Sequence, residues 1–466
     1  VPVAVRAGDL PPGEVARRLR DAGIAPGADI AEDPGHGGAG APDAVGVAAD
    51  WPARPSDIHI PWVEHPRPGV PRGAAGGTPA SPDRPAPRGV LHELAARVGP
   101  ARAAALLCAP LDAVAAARTR ARHERLAKPP GSLGRLEALG SQLAGIAGSE
   151  LPPVPHPAVV VVFAGDHGVH ARGVSPWPQE ITAGMVTNFL AGGAAVNVLA
   201  RQAGAEVVVV DVGVATPLDP APGLVDRKVR RGTADLSAGP AMTPDEAQRA
   251  LDAGAEIAID RVAAGARCLV TGDMGIANTT PSAALVAALT GRPAGAVTGR
   301  GTGIDDATLA HKTALVAGAV DRARATHGDD VLGRLAEVGG LEHAALAGYV
   351  LAGVALQVPV VIDGIIAASA LLVASRLAPG VERAVIPGHR SLEPGSAAAL
   401  DALGLTPLLD LQLHLGEGTG AVLALPLVEA AARVLREMAS LEDAGLLEAT
   451  PRSPGEARGS TTLGPS

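Results

Sequence analysis

Aromatic side chains make up only 1% of the 466 residues: two Phe, one Tyr and three Trp. Stacking platforms for successive nucleic-acid bases are therefore excluded, and the interior has to be packed almost wholly from Ala, Val and Leu. Cysteine is nearly absent as well. Cys108 and Cys268 lie far apart without metal-ligand spacing, and Cys268 falls in an apolar run, so a disulfide framework is excluded and buried thiols in a reducing compartment fit. Excess positive charge is also missing. A formal net charge of -9 argues against a polyanion-binding surface, so any phosphate site is local rather than a basic field. The opening residues VPVAVRAGDL have neither the basic start nor the apolar segment of a secretory signal, and the expectation is a cytoplasmic protein. The long apolar stretch 346–377 is interrupted by Gln357, Pro359, Asp363 and Gly364, which predicts buried helix, strand and helix rather than a membrane span.

What the chain does have is 47% apolar residues, enough for a sizeable core. Residues 1–88 are rich in Pro, Gly, Ala and Asp and read as a low-complexity, largely disordered extension. Within it, WPARPSDIHIPWVEHP fits either a partner-docking motif or a remnant of a fused neighbour. Residues 89–445 read as one domain, with a helical part at 100–150 joined by C-terminal helices and an α/β core at about 157–425; residues 446–466 read as a disordered tail. Pro129 and Pro130 make KPPGSLG a connection between two helices. Six apolar runs then read as buried parallel strands: AVVVVFAGD, EVVVVDVGV, RCLVTGD, VPVVIDG, ERAVIPG and LLDLQLHLG. Ala-rich helices lie between most of them. The expected fold is α/β, a doubly wound, mostly parallel sheet of about six strands with a smaller helical domain.

Ligands in such sheets bind beyond the carboxyl ends of the strands. Those ends carry Asp166-His167, Asp211, Gly272-Asp273, Asp363-Gly364, Gly388-His389 and Gly416-Glu417. Any one of them reads as an ordinary cap or turn residue; as a set they read as a small-molecule site. In TGDMGIANTTPSAALVAAL, Thr280 is expected as N-cap and Pro281 as first helical residue, so that free amides and the hydroxyls of Thr279 and Thr280 suit an anion. The turn TGRGTGIDD adds Gly299, Gly301, Thr302 and Gly303, with Lys312 about two turns into the next helix. Together they resemble a phosphate cradle with one cation, although neither a Walker A nor a dinucleotide fingerprint is complete. The Asp166–His170 cluster reads as hydrogen-bonding rather than metal-binding, His389 is ambiguous, and no Ser-His-Asp arrangement stands out. Glu417 has two opposed readings: desolvation between apolar neighbours would raise its pKa, whereas a helix-start position would lower it.

Several long blocks, in order over about residues 111–440, carry a resemblance: KPPGSLGRLE, FAGDHGV, SPWPQEITAGMVTNFLAGGAAVNVLAR, TGDMGIANTTPSAA, GRGTGIDD, EVGGLEHAALAGYVLA, VPVVIDGIIAASALL, PGHRSLEPG and LGEGTGAVLALPL. The chain resembles the nicotinate-nucleotide:dimethylbenzimidazole phosphoribosyltransferases, the family called CobT. The resemblance implies transfer of ribose 5-phosphate from nicotinate mononucleotide to 5,6-dimethylbenzimidazole in cobalamin lower-ligand biosynthesis, without metal or cofactor, in a homodimer with no nucleic-acid or membrane partner. It implies Glu417 as general base. Asp273 stands where many relatives have Glu, which leaves it an electrostatic supporting role. Ser175, Gln179 and Leu415 are expected in the benzimidazole pocket. Gly272, Asn278, Thr279, Thr280, Gly299, Gly301, Thr302, Gly303 and Lys312 are expected around the nucleotide phosphate. Alternatives are another base or a phenolic acceptor, a nucleotide-binding regulator without turnover and, ranked last, a dehydrogenase, which lacks a full GxGxxG.

Overall fold

The computed structural model describes residues 87–446; the segments 1–86 and 447–466, expected to be disordered, lie outside the described residues. Among the described residues four helices come first: α1 (Pro87–Val98), α2 (Pro100–Leu107), α3 (Ala113–Arg125) and α4 (Arg135–Ala147). Asp112 starts α3 by accepting the Ala115 amide at 2.8 Å. The connection predicted at KPPGSLG separates α3 from α4, and the nearly buried Lys128 in it pairs with Glu137 of α4 at 2.6 Å.

The chain then alternates. β1 (Ala158–Gly165) leads to α5 (Ile181–Leu190) and α6 (Ala195–Ala203), β2 (Glu206–Gly213), β3 (Leu224–Asp226) and α7 (Pro244–Ala263). β4 (Cys268–Met274) is followed by α8 (Thr279–Thr290), α9 (Ala294–Val297), α10 (Asp306–His327), α11 (Val331–Val338) and α12 (Leu341–Ala355). β5 (Val360–Ile362), α13 (Ile365–Leu377), β6 (Val385–Pro387), α14 (Pro394–Leu403) and α15 (Thr419–Glu437) complete it. All strand pairs are parallel, in the order β3-β2-β1-β4-β5-β6. The order reverses between β1 and β4, and with right-handed crossovers this doubly wound sheet opens a crevice above their carboxyl ends.

β1 is buried along its whole length, as its unbroken Val run requires of a central parallel strand. Two of the few aromatic rings, Phe163 of β1 and Tyr349 of α12, meet edge to face at 5.5 Å. Elsewhere small side chains let backbones touch. A Cβ at Gly348 of α12 would stand 1.9 Å from the Leu251 oxygen of α7, and one at Gly254 would stand 1.7 Å from the Ala345 oxygen. Every residue of α12 is buried. With β5 and α13 it forms the helix, strand and helix expected for the apolar stretch. A second stretch, Ile181–Ala203, is long and apolar enough to cross a membrane by length and composition, but the chain turns within it at Gly192-Gly193, between α5 and α6.

Two expectations are corrected. LLDLQLHLG is not a strand: it bridges the sheet only at Leu409 beside His389, Gln412 takes a left-handed φ of 57°, and Leu411 and Leu415 point outward. The sixth strand is β3, three residues long, inside a Pro- and Gly-rich connection. The N-cap of α8 is Asn278, two residues earlier than predicted, and Pro281 sits inside the first turn.

Candidate active site

Glu417 lies in the turn between the extended segment after Leu409 and α15, with φ 64° between Gly416 at 88° and Gly418 at 99°. Three consecutive left-handed residues make a tight reversal that L side chains resist. Glu417 tolerates it because its carboxylate is drawn inward: Oε2 accepts the Val196 amide in the first turn of α6 at 3.3 Å, and the residue is 6% exposed. Its backbone oxygen lies over Gly272 of β4. Burial raises its pKa above the ordinary value, the Val196 amide opposes this, and the nearby charge of Asp363 adds to the rise. Desolvation thus prevails over the helix-start reading.

Asp363, at the end of β5, fastens the turn. Its two oxygens accept the amides of Gly418 at 3.3 Å and Ala421 at 2.9 Å at the start of α15, and His389 Nε2 stands 3.3 Å from Oδ1. Burial disfavours the charged imidazole of His389, but Asp363 outweighs it and raises the pKa.

Asp273, at the end of β4, is buried next to Gly416 and accepts the Asn278 side-chain amide at 3.0 Å through Oδ2; Oδ1 has no partner. Burial first, then the charges of Asp363 and Glu342, push its pKa well above the carboxylate range. Asp273 therefore links the Glu417 turn to the start of α8. Asp166, after β1, takes the Ala215 amide at 2.8 Å, and the side chains of Thr182 and Gln179 bear on it; burial outweighs them and raises its pKa.

From α8 the site runs into the glycine turn. Lys312 of α10 is 1% exposed and donates to Thr279 Oγ1 at 2.8 Å and to the Gly299 oxygen at 3.1 Å. Burial lowers its pKa to about 8, against the opposing charge of Glu393. Gly301 packs next to Thr279 and Lys312. Thr280 turns into the core with its hydroxyl unpartnered.

The structure thus brings Glu417, Gly272, Asp273, Asn278, Thr279, Gly299, Gly301 and Lys312 into one connected array. Gln179 bears on Asp166, at the end of β1, outside this array. Ser175 is half-buried, its hydroxyl accepting the Trp177 amide at 3.3 Å, and Leu415 is 58% exposed beside the Glu417 turn. Thr302 and Gly303 are on the outer side of their turn.

A buried network that sequence reasoning did not assemble lies behind the strand ends. Glu342 Oε1 is 2.9 Å from His167 Nε2 and 2.8 Å from His343 Nδ1, and His343 Nε2 is 2.7 Å from Ser282 Oγ. Burial disfavours charge on Glu342, yet the two imidazoles prevail and hold its pKa well below the usual range; Glu342 in turn raises His167. These residues are 0–1% exposed, so the Ser-His-Glu alignment has no open side for a substrate and acts as structure. The available signal was a charged Glu-His pair inside an otherwise apolar helix. Asp363 and Glu393 were likewise not selected as site residues. His170 bonds the Trp177 oxygen at 2.7 Å, a hydrogen-bonding role. Among the described residues no group of three or more His, Cys, Asp or Glu side chains is arranged to hold a metal ion.

A raised-pKa carboxylate joined through Asp273 and Asn278 to a glycine turn over a buried ammonium, at the switch point of a parallel sheet, suits proton removal near an anion. A family model described as Phosphoribosyltransferase matches residues 108–446. A nicotinate-nucleotide–dimethylbenzimidazole phosphoribosyltransferase of Salinispora tropica is 54% identical over 353 residues, covering 73% of this chain and 97% of that protein. The chain belongs to this phosphoribosyltransferase family. The protein of the same name from Chloroflexus aggregans is 54% identical over 342 residues, covering 73% of this chain and 96% of the relative. The crystal structure of CobT from Thermus thermophilus is similar at 51% identity with a TM-score of 0.69, covering 71% of this chain and 98% of that one. Membership covers the expected fold class and the blocks quoted above.

Proposed function

We propose that the chain transfers the 5-phosphoribosyl group of nicotinate mononucleotide to 5,6-dimethylbenzimidazole, giving α-ribazole 5′-phosphate and nicotinate, the reaction named in its relatives. The observation that carries the catalytic assignment is the Glu417 carboxylate, buried, raised in pKa and held by a single amide.

Nicotinate leaves with the bonding electrons, and its ring nitrogen passes from cationic to neutral, so the leaving group requires no protein acid. The incoming benzimidazole attacks the anomeric carbon with one nitrogen and loses the proton on the other; Glu417 accepts it. Attack opposite the departing ring converts the β glycoside to the α. A base of this kind contributes about 10²- to 10⁴-fold, and alignment in a dry pocket supplies the rest. Burial and the neighbouring charges of Asp363 and Glu342 favour the protonated form of Asp273 beside the turn, which would limit the negative charge around Glu417.

Ser175, Gln179 and Leu415 would bound the flat base, and an Ala, Val and Leu lining suits its methyl groups. Thr279, Lys312 and the amides of the Gly299–Gly303 turn would hold the phosphate, with Gly272, Asn278 and Thr280 shaping the floor. The cation at Lys312, held against Thr279 and the Gly299 oxygen, supports this assignment. Assembly as a homodimer and a cytoplasmic location are part of the same reading.

Incubating the protein with nicotinate mononucleotide and a panel of bases, while following free nicotinate and the anomeric configuration, tests it. Dimethylbenzimidazole should give the α product with the highest kcat/KM. Binding without nicotinate release would make the chain a regulator, and preference for a phenol or purine would change the acceptor.

A further inference from the structure

A carboxylate lies beneath the glycine turn, where the phosphate-site reading calls for positive charge. Glu393, just before α14, is 7% exposed. Its Oε1 accepts the Gly301 amide at 2.7 Å; Oε2 is buried without a partner, pressed against Gly299 where a Cβ would stand 2.0 Å away. A place-holding anion in the mouth of the cradle would be open to solvent. This one is covered by the loop, which makes it a foundation rather than an occupant.

Resting on the phosphate-site reading above, we infer that Glu393 is a positioning residue for nucleotide binding, fixing the Gly299–Gly303 turn through the Gly301 amide and keeping the buried Lys312 ammonium charged. The first effect is geometric. With the Gly301 amide pinned on Glu393 and the Gly303 amide closed on the Arg300 oxygen, the turn is ordered before substrate arrives. The second is electrostatic. Lys312 is removed from water and bonded only to neutral oxygens. Among the described residues Glu393 is the ionisable group whose charge acts on it. Arg300, in the same turn, pairs with Asp306, and His311, the neighbour on α10, bonds the Arg172 oxygen. Without Glu393 the ammonium would lose its proton at lower pH, and an uncharged amine is a poor phosphate ligand.

The experiment measures KM for nicotinate mononucleotide and for the base between pH 6.5 and 9 in wild type, Glu393→Gln, Glu393→Asp and Lys312→Met. For wild type, KM for the nucleotide should rise as pH passes about 8, the value to which burial lowers Lys312. The phosphate's own second ionisation, near pH 6, lies below that window. In Glu393→Gln that rise should begin at lower pH, with nucleotide KM raised about tenfold at pH 8 and base KM unchanged, as expected for losing one charge-assisted bond; Glu393→Asp should recover part of it. Inorganic phosphate, as a competitive inhibitor of the wild type, should weaken across the same pH window, which tests the Lys312 limb without any variant. Tighter nucleotide binding in Glu393→Gln would make the carboxylate a competitor, and an unchanged nucleotide KM at every pH would leave it packing only; either overturns the inference, while an equal rise at every pH would refute its Lys312 half. A nucleotide KM unmoved in Lys312→Met would instead remove the phosphate-site reading itself.

Discussion

The backbone oxygen of Glu417 sits directly on Gly272: a Cβ at that strand position would stand 2.5 Å from it, closer than nonbonded atoms approach. The turn carrying the proposed base is thus seated on the bare backbone of the central strand. Gly272→Ala should fold, since the strand is otherwise regular, but displace Glu417. A shift of about 1 Å in such a group costs about 10²-fold. Steady-state kcat should fall by that order with circular dichroism unchanged; full activity would show that the turn can move without consequence.

Glu417→Gln should lower kcat by about 10²- to 10⁴-fold while leaving base affinity nearly intact. In wild type, kcat/KM should decline as pH falls through the raised pKa of Glu417, because the protonated carboxyl cannot accept. The stability effect has the opposite sense. A folded pKa above the ordinary 4.5 means the native state binds more protons across that window, so ionised Glu417 lowers stability as pH rises. The Gln variant should therefore melt at or above the wild-type temperature at neutral pH. Unchanged turnover would remove Glu417 from the mechanism.

Asp273→Asn replaces a carboxyl whose protonated form burial favours with a neutral group of the same shape. Its kcat should stay within about tenfold of wild type, whereas Asp273→Ala, which strands the Asn278 side-chain amide, should lose more. Kinetics of the two side by side decide; a collapse in the Asn variant would require an ionised Asp273.

Glu342→Gln removes the charge that both imidazoles address, and breaking a buried pair in this way costs about 3–5 kcal/mol. The carboxylate's depressed pKa gives stability that is present above its unfolded pKa and lost as pH falls. The raised pKa of His167 gives stability present below its unfolded value and lost as pH rises through the folded one. Urea titrations across pH should find the wild-type advantage over Glu342→Gln largest between those limits. A flat difference would refute the charged pair.

The long strands could be read from the chain because runs such as VVVVFA in β1 and VVVV in β2 leave a parallel core strand few other fates. LLDLQLHLG deceived by its alternating leucines. Lying beside the exit of β6 satisfies only one side of it, and the left-handed Gln412 interrupts the pairing before the Leu413 oxygen takes the Leu392 amide. β3 was invisible because three residues following a proline-rich loop carry no period. Glu417 stood out locally, a lone acid between glycines. Ser282 and His343 are separated by 61 positions, and no spacing rule joins them. Glu393 was quoted within a motif, yet only the fold shows that it lies under a turn about ninety residues away.

Where α7 and α12 cross, main chain rests on main chain at Gly254 and Gly348, with no side-chain cushion between them. The same α12 begins at Leu341 and carries Glu342 and His343 under the strand ends. An added methyl at the crossing would therefore have nothing soft to compress; it would be handed along the rod to its tip, less than two turns away, as a dislodged charge. Glycine there acts as a gauge that sets how far the rod reaches.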